Sequence, residues 1–569
     1  MVKTLLKNSA GILFRKQTSI LSAAGVIGIT YFLSAILGLL RDRLLAGRFP
    51  PHTLGIYWAA DRLPSFIFNL VVIGALSSSF IPVFTRVLNR EGKESSFKTA
   101  SIVINTTLLV FLIIALVFIV FASPLARLLA PAGSAAADIA ILADLLKLLL
   151  IAQLFLLLSN FVTSLLQSYQ RFLLPALAPV IYNLGVVTGI LFLSSTFGIY
   201  AAAIGTIIGG VFHLLIQLPL IPVLGIKYSF SFDVNYSGVK DIWKLTVPRL
   251  FGIGAIQIQA LVDTVLAASL SFSSVTYFTF AQHLQNLPVS LFGAAVAQAA
   301  LPVFSHAAEE NNKEKLRSQF LTALRQVSFL LVPASVLLII LRLPAVRLAF
   351  GAAKFDWMAT LATGYVLAFF ALSFLPQALV LLLARGFYAL HDTVTPVRAG
   401  IISVTANIIL SLSLIRIFSL DVWSLALSFS FSSFLNCVLL LHPFLKKIGG
   451  IKYADIVAPI IKISIAGIFM AASIYLPLKI LDRGAWGKHI SILPFSLPAN
   501  FDILILDTRY TMNLILLSIV SATSGVFFYL LAAYFLRIQE FMILFGVVRK
   551  RIKDTVLAVN RLLSSTLPV

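Results

Sequence analysis

Residues 20–49 read ILSAAGVIGITYFLSAILGLLRDRLLAGRF. Up to Leu40 the stretch is apolar, and as a helix it is long enough to cross roughly 30 Å of hydrocarbon. Arg41, Asp42, Arg43 and Arg48 then follow in quick succession. Ionisable groups inside a bilayer cost roughly 3 kcal/mol or more each, and they persist where they face a cavity, a partner or a pathway. A helix that only anchors a protein in lipid has no use for such a cluster. The stretch therefore predicts both a membrane span and a polar interior for that span to face.

The rest of the chain extends the first half of that reading. Of 569 residues, 60% are hydrophobic and only 11% are charged, whereas soluble domains are about half apolar and about a quarter charged. Apolar runs recur at 20–46, 56–86, 98–123, 136–169, 173–195, 199–224, 238–270, 274–305, 316–342, 358–390, 395–417, 421–446, 453–481 and 511–540. The expected fold is an all-α polytopic membrane protein with about 14 transmembrane helices. A membrane barrel is excluded, because its strands would alternate over short segments. The basic N-terminus MVKTLLKNSAGILFRKQ precedes an apolar segment too long for a signal peptide, so it reads as the approach to a retained first span. Cys437 has no second cysteine to pair with and reads as a small core residue.

The formal charge of +22 does not indicate nucleic acid, because the basic residues are spread over short loops between spans. Counted over alternate loops, the set containing both termini carries roughly 27 Lys and Arg and the other set roughly 12, which puts both termini in the cytoplasm. The segment 482–510 is then the longest external loop. Arg41 to Arg48 fall at the external end of the first span, where charge bias alone does not want them.

Two passages repeat. Ala60-Asp-Arg-Leu-Pro-Ser leads to Ile81-Pro-Val-Phe-Thr85 and a charged loop; Ala281-Gln-His-Leu-Gln-Asn leads to Leu301-Pro-Val-Phe-Ser305 and another. SYQRFLLPALAPV (168–180) and GFYALHDTVTPV (386–397) follow in the same order at the same offset. Such a duplication predicts two pseudo-symmetric six-helix lobes, a transporter architecture with its substrate site between halves that rock. The expected organisation is a cytoplasmic segment 1–19, an N-lobe 20–224, a C-lobe 238–446, two further spans in 453–540 and a basic cytoplasmic tail 541–569.

Polar residues gather in the first, second, seventh and eighth spans, at equivalent places in the two halves. They include Arg41, Arg43, Arg48, Asp61, Arg62, Asn69, Ser77, Gln257, Asp263, Gln282, His283 and Asn286. The excess among the first two spans is cationic, and arginine holds phosphate or carboxylate bidentately, so a large anionic substrate is expected. The alternative for Arg43 and Arg48 is snorkelling to headgroups. Asp61 and Arg62 read equally as a surface pair at a helix start. Asp263 is a lone carboxylate in mid-span, either a cation or proton site or the partner of an arginine from another span. Asp144 and Lys147 read as a structural pair, and His213, Gln217, Asn160 and Asn183 as satisfied core polars. Neither a phosphate-binding glycine loop nor a zinc helix motif is present. The expected driving force is an ion or the membrane potential, which supplies about 2.3 kcal/mol per charge per 100 mV.

LSAILGLLRDRLLAGRF, DRLP…GALSSSFIPVF, QRFLLPALAPVIYN, LPVSLFGAAVAQAALPVFS and RGFYALHDTVTPV, collinear over roughly residues 20–446, resemble the MurJ (MviN) lipid II flippase family of the multidrug/oligosaccharidyl-lipid/polysaccharide exporter superfamily. The resemblance implies a cationic central cavity and export of undecaprenyl-pyrophosphate-linked disaccharide-pentapeptide (lipid II) across the bacterial cytoplasmic membrane. It also implies a groove for the lipid tail in the last two spans, contact with membrane lipids and with cell-wall synthesis enzymes, and resetting by sodium or membrane potential. It assigns the cavity arginine to Arg41, the Arg-x-Phe-Tyr…Asp-x-x-Thr-Pro motif to Arg385 and Asp392, and a sodium site to Asp263 and Asn407. The sequence departs from the family where the eighth-span Asp-Arg is replaced by Gln282-His283 and the following Glu by Asn286. These departures leave open a different polyprenyl-linked polysaccharide as cargo, or a scaffold that moves nothing.

Overall fold

The computed structural model describes residues 20–72, 79–450, 452–482, 506–508, 510–543, 545–546, 551 and 555. Ser77 and most of the 482–510 loop lie outside the described residues. Helices dominate, and the β-pairing among the described residues is an isolated bridge between Asp482 and Leu506. In chain order the helices are α1 (Ile20–Arg48), α2 (Pro51–Val72), α3 (Ile81–Glu91), α4 (Lys93–Val120), α5 (Ala122–Leu129), α6 (Ala136–Ser168), α7 (Leu173–Phe197), α8 (Tyr200–Leu215), α9 (Leu220–Val223) and α10 (Ser237–Leu270). There follow α11 (Phe272–Pro288), α12 (Ala295–Glu309), α13 (Lys313–Ile340), α14 (Arg342–Phe350), α15 (Trp357–Ala371), α16 (Phe374–Ala389), α17 (Val394–Leu412), α18 (Trp423–Lys447), α19 (Tyr453–Leu481) and α20 (Thr511–Phe535).

Among the described residues 11 helices are long and apolar enough to cross a membrane, or 12 if α15 and α16, bent by 42°, are counted as one span. The helices α1 and α2 have comparable length and bring the total into line with the expected 14. Large apolar side chains such as Phe192, Phe197, Ile468, Phe469, Phe527 and Phe535 are exposed. Lipid tails solvate such a surface, while helical hydrogen bonding satisfies the backbone internally.

The chain divides into two compact units. One comprises residues up to His283 with Ala349–Val366 and Gly400–Ser428; the other comprises Leu284–Leu348, Leu367–Ala399 and the chain from Phe429 onward. In the first, α7 and α8 meet through glycines. A Cβ on Gly189 would lie 2.4 Å from the Gly205 Cα, and one on Gly185 2.5 Å from the Gly209 Cα. Small residues four apart let membrane helices approach this closely. Asn183 donates to the Ser34 hydroxyl at 3.1 Å, tying α7 to α1. His213 Nδ1 lies 2.6 Å from the Ser159 hydroxyl, which also accepts from Gln217 at 2.9 Å, so these are the satisfied core polars the sequence suggests. Asp144 and Lys147 pair at 3.0 Å on the outside of α6.

The second unit is built on aromatic packing, with Phe304, Phe320, Phe374, Phe387 and Phe444 fully buried around Leu324, Leu382 and Leu383. Cys437 is buried there too. The helices α19 and α20 pack against α13 through Ile463, Met470 and Tyr529, whose hydroxyl donates to the Phe329 carbonyl at 2.8 Å.

The repeated passages take the same local form. The helices α4 and α13 are both 28 residues long and both begin Lys-Glu. Gln170 (φ 58°) and His391 (φ 56°) each occupy the left-handed region that closes a helix. The bonds Arg171 N–H to Leu166 O and Asp392 N–H to Phe387 O, both 2.9 Å, close the two turns identically.

Candidate functional site

In the first unit, α2, α10 and α11 enclose a polar cavity of about 110 Å³. Trp58, Asp61 and Arg62 enter from α2, Ala260 and Thr264 from α10, and Phe278, Thr279, Gln282 and His283 from α11. The close approach of α2 to α11 is set at Gly55, where a Cβ would lie 1.7 Å from the Phe272 carbonyl oxygen. One turn on, Trp58 stands edge-on to His283, with ring centroids 5.4 Å apart.

The charge cluster at the end of α1 reaches this cavity through Asp42. Its Oδ1 accepts from Arg41 Nε at 2.9 Å and lies 2.8 Å from Arg41 Nη2 in an ion pair, and its Oδ2 lies 2.7 Å from His283 Nδ1. The Asp42 side chain is only 2% exposed, Arg41 18% and His283 27%. The Arg41 guanidinium sits 5.9 Å from the centre of the Trp58 ring, within cation–π range. Asp42, read in sequence only as a balancing charge, is thus the bridge between the first span and the eighth.

Along α2, Asp61 Oδ2 accepts from Ser65 at 2.9 Å, and Ser65 in turn accepts from Gln153 of α6 at 3.4 Å. Asn69 donates to Gln257 of α10 at 3.3 Å. Arg62 Nε and Asp263 Oδ1 are buried without a hydrogen-bond partner, and the two side chains interact electrostatically. Asp61 and Arg62 both line the cavity. Asp263 has an arginine from another span as its charge partner.

The expectation of a cationic excess changes here. Arg48 is exposed and Arg43 half-buried, and neither lines the cavity. The remaining formal charges, Arg41 and Arg62 against Asp42, Asp61 and Asp263, carry one more negative than positive charge, and a protonated His283 would bring the set only to neutrality.

The other candidates lie elsewhere. Asn407 of α17 is buried; its amide donates to Ser428 at 3.2 Å and its Oδ1 has no donor. Among the described residues no three His, Cys, Asp or Glu side chains form a metal-binding group. Asn286 is exposed and Arg385 half-buried, both in the second unit. Asp392, expected to face a cavity, instead starts α17. It accepts from the Val394 and Thr395 N–H groups at 3.1 and 3.0 Å and from the Thr395 hydroxyl at 2.7 Å, and it pairs with Lys447. Burial pushes the Asp392 carboxyl up, but these bonds outweigh it and hold the group well below the usual carboxylate range.

The profile described as lipid II flippase MurJ matches residues 52–495. The chain belongs to that family. A probable lipid II flippase MurJ of Vibrio cholerae is 27% identical over 438 residues, covering 74% of this chain and 82% of the relative. One from Haemophilus influenzae is 28% identical over 485 residues, covering 80% and 92%. Among solved structures, "Lipid II flippase MurJ, inward closed conformation" superposes with a TM-score of 0.72 at 24% identity, over 90% of this chain and 98% of that one. An inward-facing multidrug resistance MATE family transporter of the MOP superfamily follows at 0.62 and 16% identity, over 73% and 94%. These likenesses carry the fold. Family membership makes the protein a flippase, a transporter and not an enzyme, in the bacterial inner membrane.

Proposed function

We propose that the protein carries lipid II, the undecaprenyl-pyrophosphate-linked peptidoglycan precursor, across the cytoplasmic membrane by alternating access. The observation that carries this reading is the cavity of α2, α10 and α11, with Arg62 and His283 in its wall and Arg41 tied to it through Asp42. Guanidinium and imidazolium groups in a low-dielectric site are the partners a diphosphate needs. A cavity of about 110 Å³ is small beside the ~300–1,000 Å³ of pockets that hold drug-sized ligands. It must widen to admit a disaccharide headgroup, and cargo that binds the open form better shifts the population toward it.

The two six-helix lobes, 20–224 and 238–446, are the bodies we assign to that motion, with 453–540 receiving the lipid tail and both termini in the cytoplasm. Sodium is the coupling ion we favour. The Asp263 and Asn407 side-chain oxygens are buried acceptors without a donor, a condition a hard cation satisfies. Those two residues would hold it, and the ion would offset the charge of Asp263 beside Arg62.

The test is complementation of a strain depleted of its own lipid II flippase. Wild type restores growth and Arg41→Ala, expressed to the same level, does not. Rescue by both removes Arg41 from the mechanism. Rescue by neither, with wild type in the membrane, points to another polyprenyl-linked glycan as cargo.

A further inference from the structure

The formal charges around the cavity nearly cancel, yet a diphosphate brings at least two negative charges. A cationic donor in the cavity wall offsets that charge, and the side chain placed to supply one is His283. Asp42 is a carboxylate acceptor, so the 2.7 Å contact is made by a proton on His283 Nδ1. That bond fixes the ring and leaves Nε2 as the nitrogen available to the cavity that His283 lines. A neutral ring with its proton on Nδ1 offers an acceptor at Nε2, which repels a phosphate oxygen; the imidazolium offers a donor.

We propose that His283 binds the cargo's diphosphate as an imidazolium donating from Nε2, so that loading the transporter takes up one proton. The inference rests on the proposed function and names a specificity-determining residue and a coupled ion within it. The proton comes from water at the cavity mouth and bonds to Nε2; no covalent bond in the cargo changes. The charged groups facing His283 are Asp42 with Arg41 from α1 and Asp61 with Arg62 from α2. The α10 wall contributes Ala260 and Thr264, which do not titrate, with Asp263 engaged by Arg62. From α11 itself come Gln282, Thr279 and Phe278.

The experiment measures binding of lipid II to purified full-length protein in detergent from pH 5.5 to 8. The probes are wild type, His283→Arg, whose charge is fixed, and His283→Gln, which keeps a donor without a charge. Wild-type affinity should weaken with rising pH, approaching about tenfold per unit once the ring is neutral. His283→Arg should bind at every pH with no such slope. His283→Gln should bind weakly and without the slope. A slope retained in His283→Arg overturns the inference while leaving the proposed function standing, as does wild-type binding independent of pH. Absence of binding by wild type and His283→Arg at every pH overturns the proposed function and the proton coupling together.

Discussion

Removing Asp42 should unsettle the site more than removing the arginine it holds. In Asp42→Ala the N–H bond and ion-pair contact from Arg41 and the bond from His283 lose their acceptor at once. Bonds to charged groups contribute roughly 1.5–3 kcal/mol each but do not add independently. Breaking a buried ion pair from one side costs about 3–5 kcal/mol, because the partner is left charged and dry. The Asp42 side chain is 2% exposed but Arg41 retains 18%, so the expected loss lies near the lower end, about 3 kcal/mol. That is roughly a hundredfold in the folded-to-unfolded ratio. The assay is unfolding in detergent followed by tryptophan fluorescence, to which Trp58 beside Arg41 contributes. The paired variant Arg41→Leu with Asp42→Leu removes both charges, so it should recover most of the stability while still failing to transport. If Asp42→Ala unfolds together with wild type, or the paired variant is as unstable as the single one, Asp42 is not the counter-charge described.

Three further outcomes follow from other parts of the molecule. Gly189→Leu would drive a side chain into the Gly205 backbone, 2.4 Å from the first added carbon; it should cost several kcal/mol (~3 or more) and sharply lower the yield of folded protein. Asp392→Asn should lower stability at neutral pH, because the folded carboxyl lies below its ordinary range. That contribution is full above the unfolded value of about 4 and is lost as pH falls through the folded value, so variant and wild type should converge in acid; a constant gap would contradict the pairing with Lys447. Sodium should raise the melting temperature of wild type but not of Asp263→Asn, compared with an organic cation at equal ionic strength; equal stabilisation of both would end the assignment of Asp263.

Much of the fold could be read in the sequence because hydrocarbon imposes a length and a composition on every span. The runs beginning near 136, 173, 316, 421 and 453 became helices that start at Ala136, Leu173, Lys313, Trp423 and Tyr453, almost where apolarity placed them. The cluster from Arg41 to Arg48 and the polar residues of α2, α10 and α11 were visible for the same reason, since charge is costly there. Which of them meet was not visible. Asp42 selects Arg41 beside it and His283 far along the chain through helix packing that no spacing encodes, and that packing turns on glycines such as Gly55. Trp58 and Gln153, both touching the site, looked like ordinary apolar-run residues. For Asp392 a local signal did exist: an aspartate three residues before Thr395 at a helix start is a capping pattern, and it competed with the expectation of a cavity role.

The most direct measurement is site-specific photocrosslinking in living cells. A photoreactive residue at Gln282, in the wall of the cavity, should form an adduct with the lipid-linked disaccharide-pentapeptide, and the adduct should vanish when Arg62→Gln is added. The same residue at Ile468, exposed on the lipid-facing side of α19, should capture ordinary phospholipid instead. Equal capture of the precursor at both positions, or capture at Gln282 indifferent to Arg62, would contradict a cavity that grips the diphosphate.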